Sequence, residues 1–325
     1  MAGTSKRSSS IHRYALSLGA AVGGGLLLMV AASLAAPGED GAAAVSDDAR
    51  ACLVCHGPNA SRPADDILHS SHAVLFGDGG QACAACHGPS RDHFSVNEDG
   101  SRPLPDRSFG DADAPEAANA TCMNCHAAQV GPHWSGSVHE FEELACTDCH
   151  AVHEREGDPA LDPDRQVSAC FDCHQRERAE FQRPHRHPVS GSALASDTGL
   201  LTCSDCHAPH GNVSAASLNQ ATLNETCYDC HAELRGPFLW EHAPVREDCS
   251  SCHLPHGGIH DALLRQRPPQ LCQQCHLAQF HPSTVRSGSG LPPRGADPNL
   301  LGQSCMNCHS AVHGSNHPSS PGLTR

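Results

Sequence analysis

Every cysteine in this sequence stands in one short pattern. Cys52-Leu53-Val54-Cys55-His56 is the first of ten Cys-x-x-Cys-His segments. The others are Cys83/Cys86/His87, Cys122/Cys125/His126, Cys146/Cys149/His150, Cys170/Cys173/His174, Cys203/Cys206/His207, Cys227/Cys230/His231, Cys249/Cys252/His253, Cys272/Cys275/His276 and Cys305/Cys308/His309. Together they use all 20 Cys, leaving none for a disulfide or a reactive thiol. Two thiols with a trailing imidazole are the attachment chemistry of haem c: thioethers to the vinyl groups, and the His to one face of the iron. Zinc would need paired Cys-x-x-Cys units closing a tetrahedron, with no reason for a His after every pair. A thioredoxin-like dithiol needs one such motif, not ten.

Each iron then has a second face to fill. The four Met are Met1, Met29, Met123 and Met306; two precede the first motif, and two lie inside attachment loops. Histidine is the abundant ligand left, and its positions are patterned. Before each even-numbered motif stand His72, His139, His187, His242 and His281; after each stand His93, His153, His210, His256 and His313. In three cases the trailing His is three residues beyond the proximal one (His150/His153, His207/His210, His253/His256). So short a tether cannot carry an imidazole to the opposite face of its own haem, so these residues are expected to serve a neighbouring one. Ten distal candidates match ten vacancies. His69, His133, His185, His260 and His317 are left over, read as exposed or bonded to propionates, although His69 and His185 stay rivals to His72 and His187. Ligation by two His lacks the thioether that raises potential in Met/His cytochromes, so low-potential haems are expected.

The N-terminus supplies the compartment. Lys6, Arg7 and Arg13 precede an uncharged run from Tyr14 to Gly38 that contains Ser33-Leu34-Ala35-Ala36. This reads as a secretory signal over residues 1–36. An uncleaved anchor is the rival, since about 20 apolar residues span a bilayer; Gly19, Gly23 to Gly25 and the small-residue exit favour cleavage. Cleavage removes the single Lys and two Arg, leaving 18 Arg against 36 Asp and Glu, a formal charge of −18. Such a balance argues against a nucleic-acid partner, which calls for a basic face.

Composition and repetition then constrain the scaffold that positions these groups. Hydrophobic residues are 38% of the chain and aromatic residues 4%, too little for a conventional core. The stretch from Thr121 to Pro132 recurs as Thr226 to Pro237 at an offset of 105, and Cys146, Cys170 and Cys203 recur as Cys249, Cys272 and Cys305 at offsets of 103, 102 and 102. Motifs 3–6 thus look duplicated as motifs 7–10. We read residues 37–325 as one decahaem cytochrome domain of five two-haem modules, at about 45–115, 116–165, 166–220, 221–265 and 266–325. The fold class expected is a multihaem cytochrome c. Short α-helices around the attachment sites, such as one over Cys170 to Glu180, and loops wrap a linear stack of ten covalently bound haems, with almost no β-structure. The cofactor supplies the burial, so its removal is expected to unfold the chain.

An iron closed on both faces by protein offers no site for bond chemistry, so an electron-transfer conduit leads. A multihaem nitrite- or hydroxylamine-type oxidoreductase is disfavoured because every motif ends in His and surplus His can cap every iron. A soluble periplasmic shuttle or store remains chemically equivalent to a conduit at this stage.

Several segments resemble the MtrA/DmsE-type decahaem cytochromes of outer-membrane electron conduits. They are Cys227 to Val245 (CYDCHAELRGPFLWEHAPV), Cys203 to Gly211 (CSDCHAPHG) and Cys308 to Pro318 (CHSAVHGSNHP). The resemblance runs from about residue 50 to the C-terminus. It implies a bis-His decahaem electron carrier lodged in an outer-membrane β-barrel porin, hence periplasmic and held at the outer membrane. It also implies periplasmic or inner-membrane quinol-linked cytochromes on one side and an extracellular multihaem cytochrome or terminal reductase on the other. By matching context it carries over His72, His139, His187, His242 and His281 as distal ligands.

Overall fold

Chain segments this rich in Gly and Pro fold mostly as short helical turns, several of them capped by a side chain. The computed structural model describes residues 45–77, 82–110, 113–154, 157–190, 201–276 and 304–324. The leader over 1–36 and His281 therefore lie outside the described residues. All described residues belong to one unit, Ala43–Arg325.

The α-helices among them are α1 (Asp47–His56), α2 (Ala82–His87), α3 (Pro115–Val130), α4 (Val138–Phe141), α5 (Pro163–Phe171), α6 (Gln175–Phe181), α7 (Leu223–Tyr228), α8 (Ala243–Glu247) and α9 (Gln270–Gln273). The only extended pairing among the described residues is isolated β-bridges, so the scarcity of β-structure is as expected. Starts follow ordinary capping chemistry: Ser46 accepts from Ala49 N–H ahead of α1, and Thr222 from Glu225 N–H ahead of α7. Asp162 caps α5, which then opens on Pro163.

Two details differ from the expectation. The helix foreseen over Cys170 to Glu180 is two, because the chain leaves helical geometry at His174 (φ −85°, ψ 61°) and α6 starts afresh at Gln175. Cys173 is thus in the turn between α5 and α6, not on a helix. At the other extreme, α3 runs for 16 residues and carries the whole third motif within it, so Cys125 lies mid-helix with a full turn of helix beyond it. Its Ala-rich sequence has high helical propensity, and Gly131, at φ +81°, ends it.

Odd-numbered motifs sit on helices or begin on them (α1, α3, α5, α7, α9), whereas motifs 4, 6, 8 and 10 sit on 3₁₀ turns at Cys146–Asp148, Cys203–Asp205, Cys249–Ser251 and Cys305–Asn307. Motif 2, on α2, is the exception. In two of the 3₁₀ turns an Asp inside the motif closes the turn: Asp148 accepts from Ala145 N–H and Asp205 from Thr202 N–H, both at 2.7 Å.

Buried apolar side chains are few. Ala49, Ile67, Phe76 and Ala82 make one small cluster near the first two motifs, and Ala118, Val167, Val189 and Leu218 are scattered beyond it. Meanwhile Val54 and Phe141 stand 85% and 82% exposed. Side chains alone give this chain no core of ordinary size.

Polar bonds hold the modules instead. Buried Asn119 donates to Leu144 O at 2.9 Å and accepts from Cys146 N–H at 2.7 Å. Asn224, its counterpart one repeat later, donates to Val245 O at 2.9 Å and accepts from Cys249 N–H at 2.8 Å. Each amide ties an odd motif's helix to the first cysteine of the next motif.

Candidate metal centres

One helical turn builds each centre. His150 N–H donates to the Cys146 carbonyl at 2.9 Å, and the same bond recurs at Cys170, Cys203, Cys227, Cys249, Cys272 and Cys305. Positions i, i+3 and i+4 of such a turn share a face, so two thiols and an imidazole present together.

In seven of the ten motifs the two cysteines are not equally enclosed, a difference that spacing did not foretell. Each first cysteine is half-buried, whereas Cys55, Cys125, Cys149, Cys173, Cys230, Cys275 and Cys308 are exposed. The reason is local. The first cysteine lies toward the neighbouring motif, while Cys125 within α3 and Cys173 in the break after α5 face solvent. Enclosure at these positions would fall to an attached macrocycle and not to the polypeptide, in keeping with the shortage of apolar side chains.

The turns are placed so that the thiols of each motif lie near those of the next. Burial, with Cys52 beside it, pushes the Cys83 thiol up to about 12. A hydrogen bond between Cys122 and Cys146 raises the first and draws the second down to about 7. The same opposition occurs between Cys170, raised, and Cys203, lowered. Burial and Cys249 take Cys227 up to about 12, and burial and Cys305 take Cys272 up to about 11. The second cysteines make the remaining links. Burial raises Cys86, Cys149, Cys206 and Cys252, with further increments from Cys122, Cys170, Cys230 and Cys275 respectively. Cys125 adds to the rise at Cys86, and Cys173 to that at Cys149, so these two exposed thiols still border the preceding motif. Motif 1 thus neighbours 2, 2 neighbours 3, and so on to 10.

The imidazoles face one another in pairs. Ring centres lie 6.1 Å apart for His56–His93, 6.1 Å for His87–His153, 5.9 Å for His126–His72, 6.0 Å for His150–His210 and 6.2 Å for His174–His139. They lie 6.1 Å apart for His207–His256, 6.4 Å for His231–His187, 6.1 Å for His253–His313 and 6.0 Å for His276–His242. Every pair joins one motif His to one His outside the motifs. An imidazole nitrogen binds a metal from about 2 Å, so two rings sharing one metal have centres about 6 Å apart. The residues present therefore fit an interposed iron.

Hydrogen bonding at the other ring nitrogen supports the same orientation. Nδ1–H of His56 donates to Arg62 O (2.9 Å), His87 to Arg107 O (2.7 Å), His207 to Ala216 O (2.9 Å) and His253 to Ala262 O (2.8 Å). His93 and His309 likewise engage Pro103 O and Gly322 O. A carbonyl on Nδ1 fixes the tautomer and leaves Nε2 for the metal. Ala216 and Ala262 reach their imidazoles by adopting φ of 55° and 52°, a left-handed conformation that costs about 1–2 kcal/mol for a residue with a Cβ.

Three further bonds clip modules together. His139, His187 and His242 donate from Nδ1 to Pro209 O (2.8 Å), Pro255 O (2.7 Å) and Val312 O (3.1 Å). Each acceptor directly precedes a paired His: His210, His256 or His313. The approach is close. Gly211 has φ +101°, and a Cβ there would strike the His133 carbonyl oxygen; one at Gly257 would strike that of Glu180. Burial first, then the facing imidazole, lowers the pKa of His153, His210 and His313. This holds them in the neutral form that binds metal. The Nδ1 of His153 is buried with no hydrogen-bond partner.

Among the described residues the five surplus His form no such ring pairs. His69 is exposed. His185 exchanges backbone bonds with Gly258, and its Nδ1 lies 3.7 Å from Asp261. The carbonyl of His317 receives Trp240 Nε1–H at 3.0 Å. Sequence reasoning passed over four residues that matter here. Asp158 and Glu180 accept from His150 and His256. Asn119 and Asn224 were signalled by the repeated Asn-x-Thr-Cys that opens motifs 3 and 7.

Comparison with known proteins agrees. The family model of the doubled CXXCH motif matches residues 139–179, 195–236 and 242–280. A multiheme cytochrome MtrA of Shewanella baltica is 41% identical over 282 residues, covering 85% of this chain and 81% of that protein. Attachment turns placed motif beside motif and this extent of identity lead to one conclusion: the chain belongs to the MtrA family of multihaem c-type cytochromes, carries covalently bound haem, and is an electron carrier rather than an enzyme.

Proposed function

We propose that the chain holds ten haems, each between two imidazoles, and relays electrons across the outer membrane from within a β-barrel porin. The observation that carries the ligand set is the repeated spacing of 5.9–6.4 Å between a motif His and a second His. Bound haem supplies a one-electron couple; the polypeptide anchors, orients and encloses it.

The pairs define a wiring. The His preceding an even motif reaches the first motif of the following module: His72 to His126, His139 to His174, His187 to His231, His242 to His276. The His following an even motif reaches the even motif one module back: His153 to His87, His210 to His150, His256 to His207, His313 to His253. At the front, where no earlier module exists, His93 turns onto His56. Nine of the ten distal candidates are thereby used, which assigns His281 to His309. The five modules, at about 45–115, 116–165, 166–220, 221–265 and 266–325, are in this reading interlocked units of one domain behind a cleaved leader.

The contacts of each motif with the next support continuous passage along the chain. No helix among the described residues is long and apolar enough to cross a membrane, while residues 37–325 are strongly acidic. A porin with a polar lumen and an outer apolar band about 25 Å tall would let such a chain reach across without facing lipid. Quinol-linked cytochromes on the periplasmic side and an extracellular cytochrome, reductase or metal on the other complete the path. The test is purification from outer membranes, with haem counted by the pyridine haemochrome assay and bound proteins identified. Reconstitution with the copurified barrel in liposomes enclosing a reduced dye should then let an external acceptor oxidise the dye. A protein recovered wholly soluble and without a barrel would favour a periplasmic shuttle instead.

A further inference from the structure

Among the described residues, a paired imidazole that donates from Nδ1 to the backbone meets a neutral carbonyl, but in two places the acceptor is a carboxylate. His150 donates to Asp158 Oδ2 at 2.6 Å, and His256 donates to Glu180 Oε2 at 3.2 Å. The two carboxylates are 18% and 19% exposed, so solvent screens them only in part. Glu177 and Glu233 also approach paired imidazoles, but at 3.8 Å from His174 and 3.7 Å from His231 they are beyond hydrogen-bond reach.

We propose that Asp158 and Glu180 are redox-positioning residues that make the haems of motifs 4 and 6 the most reducing in the protein. The inference rests on the pairing of His150 with His210 and of His207 with His256 given above. A carboxylate on Nδ1–H draws that proton toward itself and makes the imidazole a stronger donor. The extra negative charge favours the ferric over the ferrous state, which lowers the potential. On reduction each iron gains one electron from the upstream donor; the Nδ1 proton stays within its hydrogen bond, and no other bond changes.

The two sites differ in strength for visible reasons. Asp158 makes the shorter bond, and its other oxygen accepts from the neutral Ala160 N–H at 2.9 Å. Glu180 makes the longer bond, and its Oε1 faces Arg176 Nε at 3.5 Å, which offsets part of its charge. Motif 4 therefore lies lowest and motif 6 next. Electrons crossing the chain climb to each of these haems and descend between them at motif 5.

The test uses the holoprotein with Asp158→Asn, Glu180→Gln or both, which keep an acceptor oxygen and remove the charge, and with Glu177→Gln as control. Optically followed redox titration should move one-tenth of the haem signal in Asp158→Asn to a more positive potential. The expected move is a tenfold change in the reduction equilibrium, about 59 mV for one electron. Glu180→Gln should move another tenth by less, and Glu177→Gln, whose carboxylate makes no hydrogen bond to its imidazole, by less still. A titration curve of Asp158→Asn that superimposes on the parent, with haem content and low-spin spectrum intact, overturns the tuning. So does loss of the low-spin spectrum in Asp158→Asn, which would make Asp158 a structural anchor. A parent protein with high-spin haem at these sites would instead overturn the pairing.

Discussion

Replacing His210 by Ala separates ligation across modules from ligation within them. His210 stands three residues beyond His207 of motif 6, yet its ring faces His150 of motif 4 at 6.0 Å. The sixth site keeps both of its own imidazoles, His207 and His256, at 6.1 Å. One site in ten should therefore lose a ligand: a tenth of the ferric haem turns high-spin, and cyanide binds at one equivalent per chain where the parent binds none. Absorption and magnetic circular dichroism read the spin state, and pyridine haemochrome fixes the haem count. Location follows from a second background. Cys203→Ser with Cys206→Ser abolishes attachment at motif 6 and leaves nine haems. Adding His210→Ala there should still produce one high-spin haem, because the affected site is motif 4. If the high-spin signal disappears in that background, or never arises, the cross-module reading is wrong.

Three other perturbations probe the same architecture. Gly257→Ala places a Cβ against the backbone carbonyl of Glu180, whereas Gly258→Ala meets nothing nearer than 3.5 Å. The first should cost about 1–3 kcal/mol and loosen ligation at motif 6, and the second should be close to neutral, as denaturant titration of the two holoproteins would show. Asn224→Ala strips the buried Cys249 N–H and two carbonyls of their partner; a loss on the order of 3 kcal/mol is expected, and an unchanged denaturation midpoint would contradict the clamp. Ligand planes differ too, crossing at 77° for His72–His126 but at 20° for His56–His93. Crossed planes leave the iron d orbitals nearly degenerate, so electron paramagnetic resonance should show a large-g signal for motif 3 that disappears in His72→Met.

The attachment residues were legible in the sequence because covalent haem chemistry tolerates so few residue types. Cysteine usage by itself named ten candidate sites. It did not show that Cys125 and Cys173 would stand open to solvent while Cys122 and Cys170 are half-buried, since that depends on which motif docks against which side of the turn. The candidate second ligands were legible as a set, since Met and Lys are nearly absent, and choosing His72 over His69 agrees with the ring that faces His126. Their destinations were not. Spacing shows that His153 cannot turn back onto His150, but not that it should travel to His87. That follows from how modules dock, through bonds such as His139 to Pro209, 70 residues apart. The Glu180 carboxylate was equally invisible, since it is 76 residues from its imidazole. The length of α3 was underestimated because its Ala-rich sequence has no amphipathic stripe; propensity and a capping Gly131 carry it instead.

The exchange of histidines between modules has an evolutionary corollary. In the proposed wiring each interior unit would donate one imidazole ahead and one behind and accept one from either side, so supply and demand would balance for any number of units. Only the terminal units must close on themselves, as His93 does with His56. Gene duplication that copies whole units therefore leaves no iron short of a ligand and no imidazole stranded, whereas gain or loss of half a unit strands both. The internal offsets of 102 to 105 residues correspond to two units at once, the kind of step such an accounting permits, and conductors of other lengths could arise by the same route.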